Sequence, residues 1–139
     1  MSQDCIFCKI VKGEIPSQKI YENKDFFAFL DIKPINKGHA LIVPKVHCEN
    51  ILDFPKAEET DFIETIKVVA KALVKATGAD GFNVGMNNGE AAGQVVLHAH
   101  MHIIPRFKGD GLHTWPHKEF SKEEMDELHR KVLNELIKE

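Results

Sequence analysis

The chain has 139 residues, a formal net charge of −3, three cysteines and 8 histidines. That length accommodates one domain with a real core, spanning 1–139; the mild acidity leaves no electrostatic footprint for nucleic acid, and no apolar run approaches a membrane span. The opening "MSQDCIFCKI" lacks the basic and apolar regions of a secretory leader, and an odd cysteine count makes no disulfide framework, so the expected compartment is a reducing cytoplasm. Along the chain, "CIFCKIVKGEIP" reads as a short helical turn ending near Gly13 and Pro16. "KIYENKDFFAFLDIKP" reads as a hairpin turning at Asn23-Lys24, and "GHALIVPK" as a third strand from Gly38 to Pro44. Phe62, Ile66, Val69, Leu73 and Ala76 recur at helical spacing between Pro55 and Thr77, with Gly78 as the stop. "GFNVGM" is a fourth strand. "SKEEMDELHRKVLNELIKE" is a terminal helix with a Ser121/Glu124 capping box and an apolar stripe at Met125, Leu128, Val132 and Leu136. This order predicts an α+β fold: a five-stranded antiparallel sheet, a long helix packed on it and a C-terminal helix.

The fifth strand is "VVLHAHMHIIPR", in which His98, His100 and His102 stand at every second position. A helix scatters such positions around its circumference, whereas a strand aligns them on one face. The opposite face, Leu97, Ala99, Met101 and Ile103, is expected to pack on the core, and Pro105 to close the strand or confine it to an edge. One buried histidine is usually a satisfied core residue; three on one face point to catalysis, phosphate contact or metal binding. Just upstream, "MNNGEAAGQ" carries Gly89 and Gly93 among Asn87, Asn88 and Gln94. Such a loop can turn backbone N–H groups toward an anion, although Gly/Asn loops alone are ordinary turns.

Cys5-x-x-Cys8 has the spacing of half a zinc site, with His47 and His98 as further candidate ligands and Cys48 as an alternative. A redox pair and two merely buried thiols are the competing readings. A hydrolase that holds zinc with all three triad histidines is a further possibility, since His₃ plus water is a working catalytic arrangement.

"GQVVLHAHMHIIPR" resembles the signature of the histidine-triad nucleotide hydrolases and transferases. "CIFCKIVKGEIP", "FAFLDIKPINKGHALIVPKVH" and "GMNNGEAAGQ" resemble further segments of that family in the right order, and the cysteine pair is similar to its zinc-containing, Hint-like prokaryotic-type branch. The resemblance implies a homodimer that cleaves a P–N or P–O–P bond at the α-phosphate of a purine nucleotide through a nucleotidyl-histidine, as a nucleoside phosphoramidate or dinucleoside polyphosphate hydrolase. By it His100 is the nucleophile on the α-phosphorus, and His102 and His39 line the phosphate pocket. Ile6, Phe7, Ile10, Ile15, Phe29 and Ile32 wall the nucleoside, Asp31 accepts from the ribose hydroxyls, and Asn87, Gln94 and Val95 match positions near the phosphate or leaving group. Many relatives carry Ser or Thr where this chain has Val95. The resemblance also assigns Cys5, Cys8, His47 and His98 to a structural zinc. A non-catalytic nucleotide-binding scaffold is the alternative from another class. The long aromatic segment "FKGDGLHTWPHKEF", with the single Trp115, suits an interface anchor or a ring tucked against its own domain.

Overall fold

The computed structural model describes residues 4–138. Residues 1–3, part of the segment read as lacking a leader, and Glu139, the last residue of the predicted terminal helix, lie outside the described residues. The elements follow in the order α1 (Ile6–Val11), β1 (Lys19–Glu22), β2 (Phe26–Leu30), β3 (Ala40–Pro44), α2 (Glu59–Thr77), β4 (Gly81–Gly85), β5 (Met101–Arg106) and α3 (Lys122–Ile137). All strand pairs are antiparallel, in the order β1-β2-β3-β5-β4. The fold is α+β, as the alternation of strand and helix patterns predicts.

Local chemistry explains most of the boundaries. The C-x-x-C spacing is the spacing of a helix cap: Cys5 Sγ accepts the N–H of Cys8 at 3.4 Å at the start of α1. Asn23 makes the β1–β2 turn, its Oδ1 accepting from the N–H groups of Asp25 and Phe26. Gly78 ends α2 in the left-handed region at φ 71°, where its N–H caps Val74 O.

Residues two apart share a face, so β2 and β3 each offer two apolar sides. Phe26, Ala28, Ala40 and Ile42, with Ile103 of β5, meet Phe62, Ile66, Val69, Ala70 and Leu73 of α2. On the other side Phe27, Phe29, Leu41 and Val43 meet Phe7 and Ile10 of α1. Each large side chain so buried contributes about 1.5–3 kcal/mol. The second face is the one that matters for chemistry. Continuing the alternation, Asp31 follows Phe27 and Phe29, His39 precedes Leu41 and Val43, and Leu41 lies opposite His102 in the ladder.

Three expectations need correction. The histidine run is not one long strand: β5 begins at Met101, and residues 94–100 form an irregular approach pinned where Ala99 N–H reaches Cys48 O at 2.7 Å. Leu97, expected on the core, is 55% exposed, while Ala99 and Ile103 are buried and Met101 packs against the core. Pro105 neither ends β5 nor puts it at an edge, since β5 lies between β3 and β4 and Pro105 pairs with Phe82. The β3 ladder stops at Ile103, and beyond it Pro105 faces Gly38, where a Cβ would come within 3.1 Å of the proline ring. The lost N–H therefore falls where the neighbouring strand has already ended.

Beyond Pro105 no described residue is buried. The capping box of α3 is present as predicted, but Met125, Leu128, Val132 and Leu136 are all exposed. No described helix is long and apolar enough to cross a membrane.

Candidate functional site

Two histidine clusters lie against the α1 side of the sheet, and they differ in where their protons sit. In the first, Cys5, Cys8, His47 and His98 converge, their ligand atoms all within 4.8 Å of one another. His98 Nε2 donates to Pro44 O at 2.8 Å, which leaves Nδ1 unprotonated and turned toward the thiols. That Nδ1 stands 3.3 Å from Cys5 Sγ, 3.5 Å from Cys8 Sγ and 3.1 Å from His47 Nδ1, and His47 Nδ1 is 3.4 Å from Cys8 Sγ. Tetrahedral zinc, with bonds of about 2.3 Å to sulfur and about 2.0–2.1 Å to nitrogen, sets its ligand atoms about 3.3–3.8 Å apart. The donor set thus fits a closed tetrahedral cation site, and the Pro44 carbonyl supplies the outer contact that orients a metal-ligating histidine. Cys48 is not in the group; burial pushes its thiol up to about 11.

The second cluster is a chain of directed hydrogen bonds. The Ile35 N–H donates to His39 Nδ1 at 2.9 Å, so the His39 proton is on Nε2. That Nε2–H reaches His102 Nδ1 at 2.9 Å, which places the proton of His102 on its own Nε2. His102 Nε2 is buried and has no partner among the described residues. An unsatisfied buried donor costs about 1–3 kcal/mol, so the position is prepared for an acceptor that arrives from outside. His100 has the opposite exposed atom: its Nδ1 donates to the carbonyl of His98 at 2.7 Å, leaving Nε2 with a free lone pair. The two rings stand edge to face, centroids 5.0 Å apart, and Phe7 packs its ring against His100 at 5.0 Å. A ring nitrogen with a free lone pair and an unused N–H therefore lie on neighbouring rings.

Burial depresses the proton affinity of His39 and His100, and with them as neighbours it pushes His102 down to about 4. The imidazoles are neutral at neutral pH, as the tautomer pattern requires. Asp31, 3.6 Å from His39 Nε2, accepts the Lys33 N–H through Oδ1 and keeps acceptor capacity on Oδ2.

The remaining candidate residues are distributed unevenly. Phe7, Ile10 and Phe29 are buried in the α1-side core, with Ile15 packed against it, while Ile32 is 85% exposed on the loop after β2. Ile6 and Val95 border a shallow cavity of about 530 Å³ with Cys5, His47, Glu49 and Leu97, on the outer side of the Cys/His cluster rather than over His100 and His102. Gln94 is 3% exposed and fully engaged: Oε1 accepts from Gly89 N–H, and Nε2 donates to the carbonyls of Glu49 and Val96. The Asn87 amide lies against Gly93, with a Cβ there at 3.4 Å from its Nδ2. Sequence reasoning missed the backbone partners, Ile35 N–H and the carbonyls of Pro44 and His98. Asn36 and Asp110 were missed as well; their only signal in the sequence is as turn residues of "PINKG" and "FKGDG".

Comparison with known proteins is consistent across sequence and structure. A family model described as the HIT domain matches residues 12–109. The chain is 45% identical over 134 residues to the adenosine 5'-monophosphoramidase HNT1 of Saccharomyces cerevisiae, covering 95% of this chain and 82% of that protein. The crystal structure of a member of the HIT family from Bacillus subtilis superposes with a TM-score of 0.85 at 39% identity, over 95% of this chain and 96% of that one. The crystal structure of a Zn-bound histidine triad family protein from Mycobacterium smegmatis gives a TM-score of 0.76 at 36% identity, over 99% of both chains.

Proposed function

Because the chain belongs to the HIT domain family, whose relatives include nucleotide hydrolases, we propose that it hydrolyses a purine nucleotide at the α-phosphorus through a nucleotidyl-histidine, with a P–N bond to an amine as the preferred bond broken. The observation that carries this reading is the free lone pair of His100 Nε2 beside the unpartnered N–H of His102. Neutral His100 Nε2 attacks phosphorus, the P–N bond breaks, and the departing amine takes a proton from solvent. The imidazolium so formed keeps its Nδ1–H on the His98 carbonyl, a bond that strengthens once the ring is charged. Water then attacks phosphorus, the P–Nε2 bond breaks, and the spare proton of the water returns to solvent. The His102 Nε2–H receives a phosphate oxygen as charge builds on it, a contact worth about 10²–10³ in rate for a single donor. His39 acts behind it, holding His102 in the donating tautomer.

Asp31 Oδ2 is the ribose acceptor in this reading. For the nucleoside, Ile32 and Ile6 are the exposed apolar candidates, with Phe7, Ile10, Ile15 and Phe29 as the packed layer behind them; Asn87 offers its amide to the phosphate side, and Gln94 fixes the loop that carries it. Val95, 90% exposed, supplies surface but no hydroxyl to the leaving group. Zinc on Cys5, Cys8, His47 and His98 is structural in this proposal, since four protein ligands leave no position for water. When bound it supplies a cross-link between the segment before α1 and the approach to β5.

The same reading makes the protein a cytoplasmic homodimer. The edge strand β4 is exposed along four of its five residues, with Phe82 and Val84 outward, and Trp115 is 88% exposed on the arm leading to the uncovered stripe of α3. These are the surfaces a second copy would cover, and sedimentation at micromolar concentration should give the mass of two chains; a monomer alone would overturn the dimer. For the chemistry, protein mixed with adenosine 5'-phosphoramidate labelled at phosphorus and quenched with acid within one turnover should carry the label on His100. Hydrolysis with no label trapped on His100, or no hydrolysis of any purine phosphoramidate or dinucleoside polyphosphate, would reject the reading.

A further inference from the structure

We infer that Asn36, held by Asp110, is a positioning residue that sets the proton of His102 from a distance. The inference rests on the proposed reading of His102 as a phosphate donor, and it concerns how the donating tautomer is enforced.

The loop from Asp31 to His39 has little apolar hold on the molecule. Ile32 and Ile35 both face solvent, the latter 56% exposed. The base of the loop is closed by backbone bonds, Asp31 N–H to His39 O at 2.9 Å and His39 N–H to Asn36 O at 3.1 Å. Its tip nevertheless has to keep the Ile35 N–H on His39 Nδ1, because that contact is the only hydrogen bond to His39 Nδ1 among the described residues and, with Asp31 Oδ2 at 3.6 Å from Nε2 on the other side of the ring, it sets the tautomers of two rings. Asn36 is the next residue, and both protons of its Nδ2 are committed elsewhere: one to Pro105 O at 3.0 Å, the other to Asp110 Oδ2 at 3.1 Å. Both acceptors belong to the end of β5 and the turn after it.

Asp110 is itself immobilised. Its side chain is 8% exposed and takes five donors: Arg106 Nε and Phe107 N–H join Asn36 on Oδ2, while Arg106 Nη2 and Leu112 N–H share Oδ1. Arg106 also donates to Asn83 Oδ1 and to Leu112 O. Asn36 therefore hangs from a rigid anchor. Gly38, at φ 83°, lets the loop close on that anchor, since a Cβ there would meet Thr77 Cγ2 at 2.8 Å and the Pro105 ring at 3.1 Å.

Releasing Asn36 frees the Ile35 N–H to withdraw. His39 then has no donor on Nδ1 and can carry its own proton there, which leaves a lone pair on Nε2 facing the lone pair of His102 Nδ1. His102 relieves that repulsion by moving its proton to Nδ1, and the atom meant for the phosphate becomes an acceptor. The nucleophile is untouched by this change, because His100 takes its tautomer from His98 O. The effect belongs on turnover and not on nucleotide affinity.

The test uses the full-length protein with ¹⁵N-labelled histidine, in which long-range proton–nitrogen spectra report the tautomer of each ring. Wild type should show Nε2–H at both His39 and His102. In Asn36→Ala, and in the isosteric Asn36→Asp, which removes both donors with the least change of shape, Nδ1–H forms should appear at both rings. The kcat for adenosine 5'-phosphoramidate should fall roughly 10- to 100-fold with KM changed by about twofold or less. Lys37→Ala, a neighbouring exposed change, should leave both readouts at wild type. If the folded variants keep Nε2–H on both rings, the inference is wrong, even when kcat falls. If tautomers shift in the variants while wild type turns over no purine nucleotide, the positioning role stands and the hydrolase reading fails.

Discussion

The Cys5/Cys8/His47/His98 group and the His39/His102/His100 group are both buried histidine clusters on one side of one sheet, yet they are built for opposite chemistry. In the first, the one proton that geometry assigns is drawn outward to Pro44 O, so that lone pairs converge on a common centre. In the second, N–H and lone pair alternate from Ile35 through His39 to His102, so that one cluster ends in a single donor beside the His100 lone pair. Both use imidazoles, although the first adds the thiols of Cys5 and Cys8. Which backbone atom touches which ring nitrogen decides whether a histidine turns a lone pair or an N–H toward its neighbours.

The sharpest way to break this contrast is at the two atoms that face outward. His100→Asn should lower kcat on a purine phosphoramidate by at least about 10³-fold while leaving the zinc content and AMP binding intact; near-wild-type turnover would remove His100 from the mechanism. Metal analysis and melting curves probe the other cluster. Purified protein should hold about one zinc per chain, and Cys5→Ser should lose it together with roughly 10 °C of melting temperature. Metal lost from His100→Asn but kept in Cys5→Ser would mean that the triad is the metal site.

A smaller effect is read by pH at His102. His102 takes a proton near pH 6.5 in the unfolded chain but only near 4 when folded, because burial, and then His100 and His39 beside it, disfavour its cation, with Asp31 acting the other way. Between those values the unfolded state binds more protons, so stability falls as pH drops through that window and is unaffected by this group above it. The loss attributable to His102 is on the order of 1–3 kcal/mol. Melting temperatures of wild type and His102→Asn at pH 7.5 and 4.5 measure it: the variant should lose less on acidification, and equal losses would show that His102 is not buried neutral.

Much of this was readable from side-chain pattern. Helical spacing from Phe62 to Leu73 located α2, Gly78 its end, and the Ser121/Glu124 pair the start of α3. The C-x-x-C spacing pointed to Cys5 and Cys8, which the fold gathers with His47 and His98, but the residues alone did not choose between His47 and Cys48, because neighbours in sequence differ only in which way the chain after β3 turns. Pro105 was misjudged because its tolerance depends on where β3 stops, a property of a different strand. The regular strand assumed through His98 and His100 gave way to an approach pinned by Cys48 O. Tautomers were invisible for the same reason, since their determinants are backbone atoms of residues with no chemical signature of their own.

The arm beyond Arg106 also bears on how the molecule is made. The last residue the α2-side core recruits is Ile103, and α3 contributes nothing buried to its own chain. A ribosome-bound nascent chain can thus complete its core while the arm is still held back in the exit tunnel, and domains generally fold as such units during synthesis. The uncovered stripe of α3 is released only after that core has set. Core formation thus precedes exposure of the stripe, and a stop placed after Leu112, which keeps the Asp110 bonds to Asn36 and Arg106, should yield a protein that folds without it.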